Sequence, residues 1–149
     1  MDNRIKIKNK KAYYEFIISE KFIAGIQLKG TEIKSLRQGK ANLTDSYCHF
    51  TDGELFVMKM HIAEYTFGTH YNHEPKRERK LLLNKRELKR LLTKVKEKGF
   101  TIVPTFLFIN NKGLAKLEIA LAKGKNVHDK RESIKDKDLK RDLDRRNYL

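Results

Sequence analysis

Two long apolar segments, FTIVPTFLFI (100–109) and LAKLEIALA (114–122), most constrain what this chain can fold into. Between them lies Asn110–Gly113, whose composition favours a turn. Pro104 interrupts the first segment, and because proline has no N–H for a ladder, we expect that strand to lie at a sheet edge or to carry a bulge there. In the second segment apolar and charged residues alternate with the period of a strand: Leu117, Ile119 and Leu121 against Lys116 and Glu118.

Other stretches also show the alternation of strands. Residues 13–18 alternate with a period of two, which predicts a strand from Tyr13 to Ile18. The segments SYCHF (46–50) and ELFVMKMHI (54–62) flank an Asp52-Gly53 pair that lets the chain reverse into a hairpin. In the second of these we expect four side chains to share one face: Phe56, Met58, Met60 and Ile62.

Two segments are predicted to be helices. The first is short and lies between Gly30 and Gly39, with Thr31 as its N-cap and Gly39 after its end. Residues 84–99 form the clearer one, in which Asn84 and Glu87 make a capping box and Gly99 closes the helix. Its predicted apolar stripe consists of Leu88, Leu91, Leu92 and Val95.

The chain has the length of one domain, 149 residues, and a single cysteine, Cys48, which excludes an intrachain disulfide. About five or six short strands and two helices emerge from the patterns. They predict a mainly β fold, a small, partly open barrel with packed helices.

The formal net charge of +15 suggests a polyanionic partner, with nucleic acid ahead of an anionic membrane surface. Basic residues concentrate at 9–11, at 76–80 and in the last 26 residues. Because no apolar run is long enough to span a bilayer and the start does not resemble a signal peptide, we expect a cytoplasmic protein that does not bind membranes.

Neither a metal site nor an active site is predicted. Cysteine and histidine are spaced poorly for a metal at Cys48, His61, His70 and His73. The carboxylates that a nuclease would recruit belong to separate elements or to a turn: Glu32, Asp45, Asp52 and Glu54. We therefore expect a protein without catalytic residues or cofactors.

The C-terminal segment 124–149 carries nine Lys and Arg and six Asp and Glu, with too few apolar residues to form a core. Ser133 and Asp136 have the spacing of a helix cap, and Ile134, Leu139 and Leu143 could form a thin stripe. A helix of this length is marginal in water. Two interpretations stay open: a solvated, disordered tail, or a tail that becomes ordered on a polyanion.

Several stretches together resemble the small protein B family, the tmRNA-binding proteins of bacterial trans-translation: NKKA, GTEIKSLRQGKANLTDSY, DGEL, RKLLLNKREL and AKGKNVHDKR. The resemblance implies an oligonucleotide-binding (OB)-type, partly open β-barrel with two or three helices. It divides the chain into a flexible N-terminus (1–8), an RNA-binding core (9–122) and a basic C-terminal tail (123–149), disordered when free and able to become helical on the ribosome.

The resemblance also implies a non-enzymatic function. Family members bind the tRNA-like domain of tmRNA, support its charging with alanine and deliver it to the A site of ribosomes stalled on messages without a stop codon. The tail then probes the empty mRNA channel next to the decoding centre. The implied partners are tmRNA and small-subunit rRNA directly, and elongation factor Tu and alanyl-tRNA synthetase indirectly, through tmRNA.

Site residues follow from the same resemblance. The residues implied in tmRNA binding are Asn9, Lys10, Lys11, Glu32, Lys34, Arg37, Arg79, Lys80 and Leu82. The residues implied at the decoding centre and in the mRNA channel are Gly124, Lys125, His128, Asp129, Lys130, Arg131 and Lys135. Glu32 could accept hydrogen bonds from RNA or pair with a lysine, His128 could stack on an rRNA base, and the leucines 81–83 could be core or pack on a tmRNA base.

Two departures from the family pattern stand out. Ile23 replaces a carboxylate implicated in tmRNA binding, and residues 147–149 replace an aliphatic-Met-Lys pattern. The alternative function from another class is a structural rRNA-binding protein of the ribosome.

Overall fold

The computed structural model describes residues 5–68, 72–97 and 99–125. Within these ranges the chain forms three helices: α1 (Lys10–Glu15), α2 (Gly30–Arg37) and α3 (Lys85–Val95). The same ranges contain nine strands: β1 (Lys6–Lys8), β2 (Phe16–Ile26), β3 (Ala41–Asn42), β4 (Tyr47–Thr51), β5 (Glu54–Met58), β6 (His61–Ile62), β7 (Arg79–Leu82), β8 (Phe100–Ile109) and β9 (Ala115–Gly124).

Seven strands form one sheet that returns on itself. Its order is β1-β8-β4-β5-β7-β2-β9, and β8 also pairs with β9, while β3 and β6 form a separate short ladder. The pairing is long at β8–β9 and β2–β9 but consists of one residue pair, Cys48 with Ile102, between β4 and β8. The ring is therefore partly open, which confirms the predicted fold class. The strand number was predicted too low, because strands as short as β1, β3 and β6 leave little periodic pattern.

The interior of the barrel is filled by the predicted strand faces. Leu117, Ile119 and Leu121 of β9 are buried as expected, and they pack with Leu107 and Ile109 of β8. Cys48 is buried in the same core with its thiol free. Successive side chains of a strand point to opposite faces of the sheet. One set of residues therefore fills the interior of the barrel, and the other set lies on its outer surface.

The first predicted strand is wrong in part, because Tyr13–Glu15 belong to α1 and only Phe16 onwards is β2. A period of two over six residues does not exclude a helix when tertiary packing favours one. Buried Ala12 of α1 packs outside the barrel against three small residues and two larger ones: Val103, Ala120 and Ala122 with Phe16 and Ile18. These small side chains let the helix lie close to the sheet.

The predicted hairpin is confirmed, but the predicted buried face of β5 is wrong. Asp52 and Gly53 have φ of 53° and 79° and connect β4 to β5. Leu55 and Val57 are buried, whereas Phe56 and Met58 lie on the half-exposed side. Lys59, with φ of 62°, interrupts the alternation, so that Met60 and Ile62 return to the core.

Both predicted helices exist, with ends that differ from the prediction. In α3 the Asn84 Oδ1 accepts from the Glu87 N–H at 2.8 Å, as the capping box predicted, but the helix ends at Val95 and Gly99 lies beyond it, next to β8. Helix α2 begins at Gly30, because the Glu32 carboxylate accepts from the Lys29 N–H at 2.7 Å. Thr31 is therefore inside the helix and is not its N-cap.

Pro104 produces a bulge. The β8–β9 register shifts between Pro104 and Phe106, which leaves Thr105 as the extra residue, while β8 pairs on both sides and is not an edge. The first strand of the sheet begins at Lys6, and the last strand ends at Gly124.

Candidate nucleic-acid interface

The basic segment 9–11 lies at the start of α1, directly after β1, and its three residues have different environments. Asn9 is buried: its amide Nδ2 donates to the Pro104 carbonyl at 2.8 Å, and its backbone N–H donates to Thr105 O at 2.9 Å. Lys10 is exposed. Lys11 forms an exposed ion pair with Asp45 at 3.1 Å, and the hydrogen bond to that carboxylate raises the pKa of Lys11. Asn9 thus anchors the segment on the bulge, and the lysines carry its charge.

Glu32, on α2, lies at the centre of a buried cluster of charges. Its carboxylate accepts hydrogen bonds from Arg77 Nη2 at 2.7 Å and from Arg79 Nε at 2.5 Å. The side chains of Glu32 and Arg79 are both 0% exposed. We expected Glu32 either to bind RNA or to pair with a lysine; in this structure it pairs with two arginines.

Arg79 uses its other donors to hold neighbouring backbone. Its Nη1 donates to the Met60 carbonyl at 2.6 Å, and its Nη2 donates to the Pro75 carbonyl at 3.0 Å. Next to this cluster, buried His73 donates from Nε2 to the Ile62 carbonyl and pairs through Nδ1 with the Thr31 hydroxyl, both at 2.9 Å. The segment between β6 and β7 is therefore tied to α2 by polar groups.

The electrostatics of the cluster favour the charged pair. Burial by itself would raise the pKa of Glu32, but hydrogen bonds from Arg77, from the Lys29 backbone and from Arg79 hold it below its ordinary value. Burial lowers the pKa of Arg79, and the Glu32 carboxylate opposes that shift. Because arginine titrates far above neutrality, Arg79 stays protonated.

Strand β7 separates the residues of the RKLL motif by face. Arg79 and Leu81 point inward and are buried. Lys80 points outward and forms an ion pair with Glu54. Leu82 also points outward, is 46% exposed, and lies over Gly25 of β2. Of the three leucines, Leu82 is available to pack on a base, while Leu83 packs against the core.

The remaining predicted residues of the core lie on the surface of α2. Lys34 and Arg37 are exposed, and Lys34 Nζ lies 5.6 Å from the centre of the Tyr65 ring. The structure therefore leaves Lys10, Lys34, Arg37 and Leu82 on the surface and puts Asn9, Glu32 and Arg79 into the interior. It does not bring all nine predicted residues into one surface.

Two of the predicted tail residues are described. Gly124 ends β9 opposite Phe16, and the Lys125 N–H donates to the Glu15 carbonyl at 3.1 Å. The other five lie outside the described residues: His128, Asp129, Lys130, Arg131 and Lys135.

Residues considered for metal or catalysis have ordinary structural roles where they are described. Asp45 and Glu54 pair with Lys11 and Lys80, and burial raises the pKa of the Cys48 thiol. His70 lies outside the described residues. In the described ranges no three His, Cys, Asp or Glu side chains are grouped to hold a metal, and no helix there is long and apolar enough to cross a membrane.

Aromatic residues on the outer face of β8 were missed from the sequence. Phe106 and Phe108 alternate with the buried Leu107 and Ile109, and their rings stack with centroids 5.4 Å apart. Phe106 lies between Lys8 and Glu118 on the neighbouring strands, and Phe108 between Lys6 and Lys116. The sequence TFLFI could have revealed them, because it places apolar residues on both faces of the strand. An apolar outer face indicates that something packs against it.

The OB-type barrel and this outer surface, with its lysines and aromatic rings, define the class of small β-barrel proteins whose folds bind nucleic acids. The chain belongs to the SmpB protein family, whose model matches residues 6–148. This confirms the resemblance.

Similar proteins match nearly the whole chain. The SsrA-binding protein of Flavobacterium psychrophilum is 61% identical over 141 residues, 95% of this chain and 94% of that protein. The SsrA-binding protein of Phocaeicola vulgatus is 60% identical over the same length, with the same coverage. A solved chain from work on "tmRNA-SmpB: a journey to the center of the bacterial ribosome" superposes with a TM-score of 0.71 at 46% identity, covering 87% of this chain and 94% of the solved one.

Proposed function

We propose that this protein is a non-enzymatic adaptor that binds tmRNA, supports its alanylation and delivers it to the A site of ribosomes stalled on messages without a stop codon. The observation that carries the proposal is the match of 95% of the chain to an SsrA-binding protein, together with the fold of the solved chain from tmRNA-SmpB work. Elongation factor Tu and alanyl-tRNA synthetase would be reached through tmRNA.

The core, residues 9–122, would bind the tRNA-like domain with its exposed residues. Lys10, Lys34 and Arg37 supply charge for phosphates, and Leu82 supplies an apolar contact for a base. Lys11 and Lys80 can join them if RNA phosphates replace their present carboxylate partners.

The buried residues would act by position. Asn9 fixes the lysine segment on the bulge of β8, and the ion pair of Glu32 with Arg79 fixes α2 against β7. Neither side chain needs to touch RNA for its loss to weaken binding. Ile23 is 48% exposed opposite Glu118, so an apolar contact takes the place of a carboxylate there.

The tail, residues 123–149, would probe the empty mRNA channel. Its excess of basic over acidic residues favours a path lined with phosphates, and it would order only when no message occupies that path. His128 would stack on an rRNA base, and the basic residues Lys125, Lys130, Arg131 and Lys135 would contact phosphates.

A binding titration tests the role of the core. The full chain is titrated with tmRNA and with an unrelated structured RNA of equal length, each at several salt concentrations. We expect tmRNA to bind more tightly and to keep its advantage as salt rises, because shape-specific contacts are less salt-dependent than phosphate contacts. If both affinities fall together, the core does not recognise tmRNA, and the ribosomal-protein alternative gains.

A truncation after Lys123 tests the role of the tail. We expect the truncated protein to retain its affinity for tmRNA and to lose peptide tagging on stalled ribosomes. Full tagging by the truncated protein would contradict the proposed role of the tail.

A further inference from the structure

A cavity of about 300 Å³ opens on the outer surface of the barrel where α1 meets the bulge of β8. The cavity is lined by the aromatic residues Tyr13 and Phe106, by Lys8 and Lys10, and by the polar residues Asn9, Thr105 and Glu118. A cavity of this volume is at the lower end of the range for small-ligand sites, which suits one planar ring system better than a longer ligand.

The cavity exists because α1 covers only part of the outer face of β8 and β9. The helix packs on Val103, Ala120 and Ala122, and beyond the bulge Phe106 and Phe108 of the outer face are only half-buried. Tyr13 stands at this boundary and is 46% exposed. These partly exposed aromatic side chains thus stand on a sheet and on a helix packed against it.

Charge makes the surroundings suitable for an anion. Lys8, Lys10 and Lys116 form no ion pair with any residue in the described ranges. Lys8 and Lys116 lie on strands that flank β8, and Lys10 begins α1. Aromatic rings with unpaired lysines beside them are the combination that binds single-stranded nucleic acid, by stacking on bases and pairing with phosphates.

One polar group can read the edge of a base. The Glu118 side chain is 21% exposed, and its Oε2 accepts from the Thr105 hydroxyl at 2.7 Å. Lys21 Nζ lies 3.9 Å from the same Oε2, and the Oε1 has no hydrogen-bond partner among the described residues. An ionised carboxylate only accepts hydrogen bonds. Guanine offers two adjacent N–H donors on its Watson–Crick edge, whereas uracil offers one donor between two carbonyl acceptors.

We propose that this cavity binds one unpaired base of an RNA strand, with guanine preferred, against the rings of Tyr13 and Phe106 and the carboxylate of Glu118. Lys8 and Lys10 contact the phosphates on either side of that base. The proposal rests on the RNA binding in the proposed function and adds a specific position and a base preference to it.

The test uses the full-length protein and seven-nucleotide RNA oligomers that are uridine except at the central position. Binding is measured by fluorescence anisotropy, and stacking by quenching of 2-aminopurine at the centre. We expect the guanine oligomer to bind about ten-fold more tightly than the all-uridine oligomer. Tyr13→Ala and Phe106→Ala should each weaken that binding by about 5- to 100-fold and reduce the quenching.

Glu118→Gln separates base reading from stacking. This variant should keep the quenching and lose most of the preference for guanine, because the amide supplies a donor where the carboxylate only accepts. Phe67→Ala is the matched control, since Phe67 is 73% exposed at another place on the surface and should have no effect. If Phe106→Ala does not fold, Tyr13→Ala decides, because that side chain is exposed on α1.

Equal binding by wild type, Tyr13→Ala and Phe106→Ala would overturn the base pocket. Failure of the pocket and failure of the proposed function are distinguishable in the tmRNA titration. If the wild-type protein prefers tmRNA but the oligomers bind the wild type and the variants equally, only the proposed base pocket is contradicted. If the wild-type protein shows no preference for tmRNA, the proposed function is contradicted, whatever the oligomers show.

Discussion

The cluster of Glu32 with Arg77 and Arg79 and the outer face of β8 reverse the usual placement of residues. In the cluster, the side chains of Glu32 and Arg79 are fully buried, that of Arg77 is 29% exposed, and their ion pairs hold α2 in place. On β8, Phe106 and Phe108 are on the outside, beside lysines. A basic residue in this chain is therefore not automatically a phosphate contact, and an aromatic residue is not automatically core. The strand face on which a residue lies decides its role.

The largest effect should come from removing the charge of Glu32. Glu32→Gln keeps the shape of the side chain but leaves Arg79, which is fully buried, without its carboxylate. We expect the free energy of unfolding, measured by urea denaturation at pH 7, to fall by about 3–5 kcal/mol.

Glu54→Gln is the control for this variant, because it removes a carboxylate from the partly exposed pair with Lys80. It should change the stability little. Equal, small effects of the two substitutions would contradict the structural role of the Glu32 cluster.

Local signals in the sequence predicted much of this fold. The capping box of Asn84 and Glu87, the Asp52-Gly53 turn and the bulge at Pro104 each depend on a few adjacent residues. The helix Lys10–Glu15 could not be predicted in this way, because it depends on Ala12 packing against strands that lie about a hundred residues later in the chain.

The candidate site was less predictable than the fold, for the same reason. The resemblance supplied the residues, but it did not distinguish inward from outward positions. Glu32 and Arg79 are 47 positions apart, and only the folded barrel brings them together. A single residue can also change which face is buried. Because Lys59 has a positive φ, the alternation of buried and exposed side chains in β5 shifts by one position after it.

A smaller effect is expected at Leu81 and Leu82, where the first substitution should change stability and the second should change tmRNA binding. Leu81 is 2% exposed and Leu82 is 46% exposed, although they are neighbours in the same motif. Leu81→Ala should lower the free energy of unfolding by about 2–5 kcal/mol, because it opens a cavity in the core. Leu82→Ala should change stability by less than about 0.5 kcal/mol and weaken tmRNA binding by about five- to tenfold.

Thermal unfolding and a tmRNA titration of both variants would measure these effects. The affinity is compared below the unfolding transition, so that loss of folded protein does not imitate loss of contact. A Leu82→Ala protein with unchanged tmRNA affinity would show that this leucine is merely exposed.

The smallest effect should come from a glutamate–arginine pair at the surface, formed by Glu20 and Arg90. Glu20 receives hydrogen bonds from Arg90, including one of 2.6 Å from Nη2, and these lower the pKa of Glu20. Both side chains are about a third exposed or more, so water and salt screen the pair. Glu20→Gln should therefore cost only a small fraction of the stability that Glu32→Gln costs.

Salt and pH sharpen this last comparison. Because the pKa of Glu20 is lower in the folded protein than in the unfolded chain, its contribution is present above the unfolded value and is lost as the pH falls through the folded value. The difference between wild type and Glu20→Gln in urea denaturation should shrink in acid and also at high salt. The difference between wild type and Glu32→Gln should resist salt, since water does not reach that pair. Equal salt dependence of the two differences would mean that the buried pair is as accessible to solvent as the exposed one.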